Sequence, residues 1–297
     1  MRSGFVGIIG RPNVGKSTLL NSILGEKIAI TSDKAQTTRN AIRGIYSHMD
    51  GDECLCQLVF IDTPGIHKPK NALGSYMTDT ALNTFKEVDT ILFLVDSPLE
   101  EGVSGDRYIL DALKKVDTPK ILVINKIDKI DPDTFASMYE EYEKKGMFDE
   151  IIGTNALTGK NVDVLLKILE ERAEEGPMYF PPDMVTDHPE RFLVSEIIRE
   201  KALYYLKEEV PHGIAVEIES FDESGKVTKI NAAIYCEKQS HKGIILGKHG
   251  HTIKGIGMAA REEIESLLGC KVYLELFVKV KEHWRDSTLA ISNFGYK

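Results

Sequence analysis

Among its 297 residues the chain has only four cysteines, one tryptophan and no apolar run approaching the length of a membrane span. The cysteines are Cys54, Cys56, Cys236 and Cys270. The C-x-C pair lies in an alternating, strand-like stretch, and no second Cys or His pair stands at metal-ligand spacing from it. Small buried or half-buried thiols in a reduced, cytoplasmic protein are the expectation. Runs such as ILFLV at 91–95 fall far short of the ~20 apolar residues that a bilayer crossing needs, and no signal-peptide pattern opens the chain. Any membrane contact should therefore be peripheral. A general excess of positive charge is missing too: the formal net charge is −9, so a polyanionic partner could be held only by a local basic patch. Acidic residues are absent from one place where such a patch could form. Between Lys238 and Arg261 there are five Lys or Arg residues, three His and no Asp or Glu.

The length suits two domains, and the apolar pattern changes once along it. In the first part, the runs GFVGIIG, QLVFID, TILFLVD, KILVINK and EIIGTNA each precede a longer stretch of mixed polarity. That alternation predicts a covered, mostly parallel sheet crossed over by helices, an α/β domain over 1–176. The segment GPMYFPPDMVTDHPERF then concentrates four of the eleven prolines, as a linker over 177–189 would. Residues 190–297 read as helix, strand, strand, helix, helix, strand, a smaller α+β unit. Its expected inward positions are Ile214, Val216 and Ile218; Ile230, Ala232, Ile234 and Cys236; and Val272, Leu274, Leu276, Val278 and Val280. Between the last two strands, Ile253, Ile256, Ala260, Ile264 and Leu267 fall on one helical face.

Three motifs of the first part point to one ligand. Gly10 to Ser17, GRPNVGKS, fits G-x-x-x-x-G-K-S between an apolar strand and a helix. The glycine-rich backbone around Gly10, Asn13, Val14 and Gly15 can curl its N–H groups about phosphate oxygens. Lys16 supplies a point charge, and the Ser17 hydroxyl, followed by Thr18, can ligate magnesium. DTPG, Asp62 to Gly65, ends another strand, where the acid can hold magnesium through water and the Gly65 N–H can sense a terminal phosphate. NKID, Asn125 to Asp128 with Lys126 between, ends a third; the carboxylate of Asp128 can accept from both the N1–H and the amino group of guanine. All three fall where open α/β sheets bind ligands. After Gly65 stands Ile66, whose apolar side chain cannot position water by hydrogen bonding.

These motifs resemble those of translation-factor-like GTPases. The second unit and the ending HWRDSTLAISNFGYK resemble the Era family, which joins a P-loop GTPase domain to a type II KH RNA-binding domain. The resemblance implies that Lys16, Thr38 and Gly65 serve GTP hydrolysis and that Ser17, Thr38 and Asp62 hold Mg2+, with Thr37 as the alternative to Thr38. It implies guanine selection by Asn125 with Asp128, and a backbone N–H from Ala156 in TNALTG, where Asn155 replaces the more usual serine. Asn13 is either a turn residue or the ligand of a K+ ion that offsets the missing water-orienting side chain. In the KH unit, GKHG at Gly247 to Gly250 would clamp an RNA backbone, with Lys242, Lys248, His249 and Lys254 near phosphates and Ile244, Ile245 and Ile253 beside unstacked bases. The function so implied is a GTP/GDP switch that binds 16S rRNA near its 3′ end and acts in assembly of the small (30S) ribosomal subunit. The partners implied include peripheral contact with the inner membrane but no DNA, and the chain is expected to be a monomer. A GTPase of the large subunit or of tRNA, or a nucleotide-gated membrane or cell-cycle adaptor, is the alternative.

Overall fold

The computed structural model describes residues 1–34, 36–99 and 104–296. They divide into one unit of Met1–Thr31, Thr38–Lys70 and Gly74–Asp187 and another of Ser32–Thr37, Asn71–Leu73 and His188–Lys297.

The first unit is built on one sheet. Its strands are β1 (Arg2–Gly10), β2 (Ile42–Asp50), β3 (Glu53–Asp62), β4 (Thr90–Val95), β5 (Lys120–Ile124), β6 (Glu150–Gly153) and the short β7 (Glu174–Glu175). The order is β2-β3-β1-β4-β5-β6, with β7 against the start of β1. From β3 to β6 the neighbours are parallel, and every residue of β4 and β5 is buried. This is what continuous apolar runs require, because helices cover both faces of a parallel sheet. Those helices are α1 (Lys16–Leu24), α2 (Ala72–Thr84), α3 (Ser104–Leu113), α4 (Pro132–Glu143) and α5 (Val162–Arg172).

Two features differ from the sequence expectation. The edge strand β2 runs antiparallel to β3 and was not among the expected strands; Ile42, Gly44 and Ile45 are buried, but its last three residues are exposed. The proline-rich stretch expected as a linker belongs to the first unit as far as Asp187. Gln57, completely buried on β3, holds it: Oε1 accepts from the N–H of Tyr179 (2.8 Å) and Phe180 (3.0 Å), and Nε2 donates to the Phe180 carbonyl (2.8 Å).

The second unit contains α6 (Glu190–Tyr205), β8 (Ala215–Asp222), β9 (Thr228–Cys236), α7 (Gln239–Leu246), α8 (His251–Leu268), β10 (Val272–Val280) and α9 (Thr288–Asn293). Its sheet has the order β10-β9-β8, antiparallel at β8–β9 and parallel at β9–β10. The expected inward residues of β9 are all fully buried, and α8 buries Ile256, Ala260 and Ile264. Leu267 departs from that face and is 39% exposed. The lone tryptophan, Trp284, is completely buried; its Nε1 donates to the Gly213 carbonyl (2.9 Å) and its ring meets Phe294 edge-on. Among the described residues no helix is long and apolar enough to cross a membrane.

Candidate functional site

At the C-terminal end of β1 the chain turns through GRPNVGKS into α1. Asn13 (φ 66°) and Gly15 (φ 101°) take left-handed backbone conformations there. A Cβ on Gly15 would also stand 2.2 Å from Asn125 Nδ2, so only glycine fits both the dihedral and the neighbour. Lys16 folds back over this loop, its Nζ donating to the carbonyls of Arg11 (2.9 Å) and Gly10 (3.3 Å). Burial lowers its pKa to about 8, against the pull of Asp62 and Asp96.

Three oxygen groups meet beside it. Ser17 Oγ donates to Asp62 Oδ2 at 2.6 Å and lies 2.9 Å from Thr38 Oγ1, and Thr38 Oγ1 donates to the same carboxylate at 3.4 Å. Asp62 is completely buried, its Oδ1 has no hydrogen-bond partner, and burial pushes its pKa up to about 6. Two hydroxyls and a carboxylate with an unspent buried acceptor are the hard oxygen donors that suit Mg2+. Thr37 points elsewhere, donating from Oγ1 to the Lys34 carbonyl (2.6 Å). Gly65 presses on the phosphate loop: a Cβ there would fall 2.6 Å from Pro12 N. The next residue, Ile66, is completely buried in the core, and its N–H donates to the Gly10 carbonyl (3.2 Å).

On the base side, Asn125 and Ala156 are joined to each other. Asn125, 2% exposed, makes three protein contacts: Nδ2 donates to the Val14 carbonyl (2.8 Å), and Oδ1 accepts from Ala156 N (3.0 Å) and Thr154 Oγ1 (3.2 Å). It braces the phosphate loop against the TNALTG loop. Asn155, which stands where serine was expected, has its own task, with Oδ1 accepting from the N–H groups of Leu157 (3.1 Å) and Thr158 (3.3 Å) to close that loop. Lys126, also in a left-handed conformation, donates from Nζ to the Asn13 carbonyl (2.5 Å) and to Asp96 Oδ2 (2.7 Å). Asp128 is exposed in a single 3-10 turn over Ile127–Lys129. The sequence reading missed Asp96; its position directly after an apolar strand, like that of Asp62, was the available signal.

In the second unit, α7 and α8 are joined by the GKHG turn. Gly247 (φ 71°, ψ 175°), His249 (φ 53°) and Gly250 (φ 75°) carry it, and Lys248 and His249 are exposed at its tip. Beside α8 runs a groove of about 290 Å³ lined by Ile253, Lys254, Gly257, Met258, Arg261, Leu274, Glu275 and Leu276. Its far wall is β10, which among the described residues pairs only with β9. Ile244 is half exposed and Lys242 partly so, but Ile245 is completely buried, since α7 needs an anchor on its inner face, and it cannot meet a base. The expectation had not included Met258 or Arg261, which follow Lys254 at helical spacing and could have been read from that.

A phosphate loop, a magnesium-type oxygen cluster and an exposed carboxylate in NKID, followed by a helix-strand-strand-helix-helix-strand unit with a glycine turn, define a P-loop GTPase joined to a type II KH domain. Family comparison agrees on both parts: the 50S ribosome-binding GTPase family matches residues 5–126 and the KH domain family matches residues 209–285. The chain is 56% identical to GTPase Era of Alkaliphilus oremlandii over 99% of each chain, and 54% identical to that of Clostridioides difficile over 99% of this chain and 98% of the other. It belongs to the Era family of GTPases and hydrolyses GTP. Among solved structures, a variant of Aquifex aeolicus Era bound to GDP and AlF4− matches with a TM-score of 0.94 and 40% identity, over 100% of this chain and 99% of that one. A second, Era in complex with MgGDPNP and nucleotides 1506–1542 of 16S ribosomal RNA, matches with a TM-score of 0.93 and 42% identity over the same shares.

Proposed function

We propose that this GTPase binds 16S rRNA near its 3′ end through the GKHG turn and the adjoining groove, and uses its nucleotide cycle in assembly of the 30S subunit. The observation that carries this is the exposed Lys248–His249 tip, in a stretch free of acidic residues from Lys238 to Arg261, beside a partly apolar groove whose lining holds Lys254, Arg261 and one acid, Glu275. A relative 42% identical over the full chain, solved with nucleotides of 16S rRNA, supports the choice of RNA. The glycines let a backbone approach, the α8 N-terminus favours phosphate, and the groove can take unstacked bases.

On the nucleotide side, Ser17 and Thr38 would hold Mg2+, with Asp62 in reach of it. When bound, the ion would supply positive charge that offsets the charge of the phosphates. Lys16 neutralises the outer phosphates, the phosphate-loop N–H groups and Gly65 orient them, and Asp128 accepts from the two guanine donors. Asn13, exposed at the loop's left-handed turn, would be the ligand for a K+ ion. With Ile66 turned into the core, nothing at that position aligns water, and hydrolysis is slow.

The test is RNA affinity across a salt series for the natural protein and a Lys248→Asp, His249→Asp double variant, using an oligonucleotide of the 16S 3′ end and a scrambled control. The variant should bind at least ~tenfold more weakly with a shallower salt slope, because fewer counterions are released, while GTP affinity holds. Equal affinity and slope, or equal binding of the scrambled strand, would reject the reading.

A further inference from the structure

Arg11 is the second residue of the phosphate loop, and its two ends do different things. Its carbonyl accepts from Lys16, whereas its side chain leaves the loop in the other direction. There Nε donates to Asp106 Oδ2 (2.7 Å), and Nη2 donates to Ser97 Oγ (2.8 Å) and Asp96 Oδ1 (3.4 Å). The other oxygen of Asp96 accepts from Lys126 Nζ (2.7 Å), which also donates to the Asn13 carbonyl (2.5 Å). The contacts therefore close a ring: out of the loop at Arg11, through Asp96 and Lys126, and back into it at Asn13. Asp106 anchors the ring from the first turn of α3 and is completely buried. The start of α3 is shaped to receive the arginine, since a Cβ on Gly105 would lie 2.7 Å from Arg11 Cδ.

We infer that Arg11 is a positioning residue for nucleotide binding: it holds the phosphate loop and the guanine-side lysine in one fixed relation. Among the described residues its side chain donates to Asp96, Ser97 and Asp106, and so sets where the backbone N–H groups and Lys126 stand before the nucleotide arrives. Pre-setting of this kind strengthens the binding of GTP and GDP alike and leaves the chemical step untouched. The inference rests on the nucleotide site described above.

Steady-state GTP hydrolysis and GDP release rates, measured on the full chain, test it. Arg11→Gln should raise KM for GTP and the GDP release rate by ~tenfold, the scale of a lost charged hydrogen-bond network, with kcat within about threefold of the natural protein. Asp96→Asn should do the same. The pair together should be no worse than the larger single effect, because both break one ring. Arg11→Lys, able to reach one carboxylate at a time, should fall between. Arg11→Gln leaves Asp106 buried without its cation and could fail to fold. Arg11→Gln with Asp106→Asn removes both charges, and its KM should stay raised. A normal KM in that double variant, unchanged KM in Asp96→Asn, additive losses, or a fall in kcat at constant KM would each overturn the inference. Failure of the natural protein to bind GTP would instead strike the nucleotide site itself.

Discussion

Asp62 shows at the scale of one residue how a binding site is held against the preference of the fold. Its carboxylate is completely buried, with only Ser17, Thr38 and the charge of Lys16 to compensate, and its pKa stands at about 6 against 3.8 in an exposed chain. Between those values the folded protein keeps a proton that the unfolded chain has released, so folding weakens as pH rises from about 4 to 6. Above 6 both states are ionised and the full cost persists, on the order of 3 kcal/mol for a shift of this size. Asp62→Asn should therefore stabilise the ligand-free protein by ~1–3 kcal/mol at pH 7.5, with the gain shrinking towards zero at pH 4. Urea melts of both proteins across that range provide the check, and an asparagine variant less stable at pH 7.5 would contradict the account. Asn125 teaches a related lesson. Motif spacing placed it at the nucleotide site, but which way an amide faces depends on carbonyls and N–H groups far away in sequence, here Val14 and Ala156, which no local pattern displays.

Elements were legible where one periodicity ruled them. The parallel strands of the first unit are buried on both faces and so appear as unbroken apolar runs, and β9 and β10 alternate cleanly because one face meets α8 and its neighbours. The strand β2 escaped because an edge strand carries only half an apolar pattern and polar residues finish it. The turn between α7 and α8 was readable as a glycine motif, but its two glycines are not equivalent. At Gly247 the backbone occupies a region open essentially to glycine alone, and a Cβ would fall 2.2 Å from Thr252 Oγ1 and 2.9 Å from Thr252 N. Gly250 is in the ordinary left-handed region, with nothing within 4 Å of a Cβ. Gly247→Ala should cost roughly 3 kcal/mol or more, and Gly250→Ala about 1 kcal/mol, partly offset by the stiffer unfolded chain. Denaturant melts of the two variants should separate them clearly; equal losses would mean that the turn relaxes around either side chain.

At the scale of the whole molecule, apolar patterning pointed to an α/β part followed by an α+β part, but it did not show what the proline-rich segment between them does. Prolines report a lack of regular structure and say nothing about attachment. Attachment depends on Gln57, whose position inside an apolar strand gave no hint that its amide would be completely buried and satisfied by Tyr179 and Phe180. Phe5 adds a ring contact to Tyr179 at 4.9 Å, Ile45 N donates to the Val185 carbonyl at 2.9 Å, and Arg43 pairs with Asp187 at 2.7 Å. A fragment ending at Gly176 would leave the Gln57 amide without these partners and uncover the apolar surface around it. One ending at Asp187 keeps them all. With ~1 kcal/mol for each of the four lost hydrogen bonds, three at Gln57 and one at Ile45, the shorter fragment should be less stable by roughly 3–5 kcal/mol. Urea unfolding of fragments 1–176 and 1–187, each saturated with GDP and then without it, measures the difference. A further variant of the longer fragment, Gln57→Leu, should lose most of its advantage, because the strap would keep its length but not its anchor. Equal stability of the two fragments would show that residues 177–187 only lie on the sheet and that the first unit ends where the prolines begin.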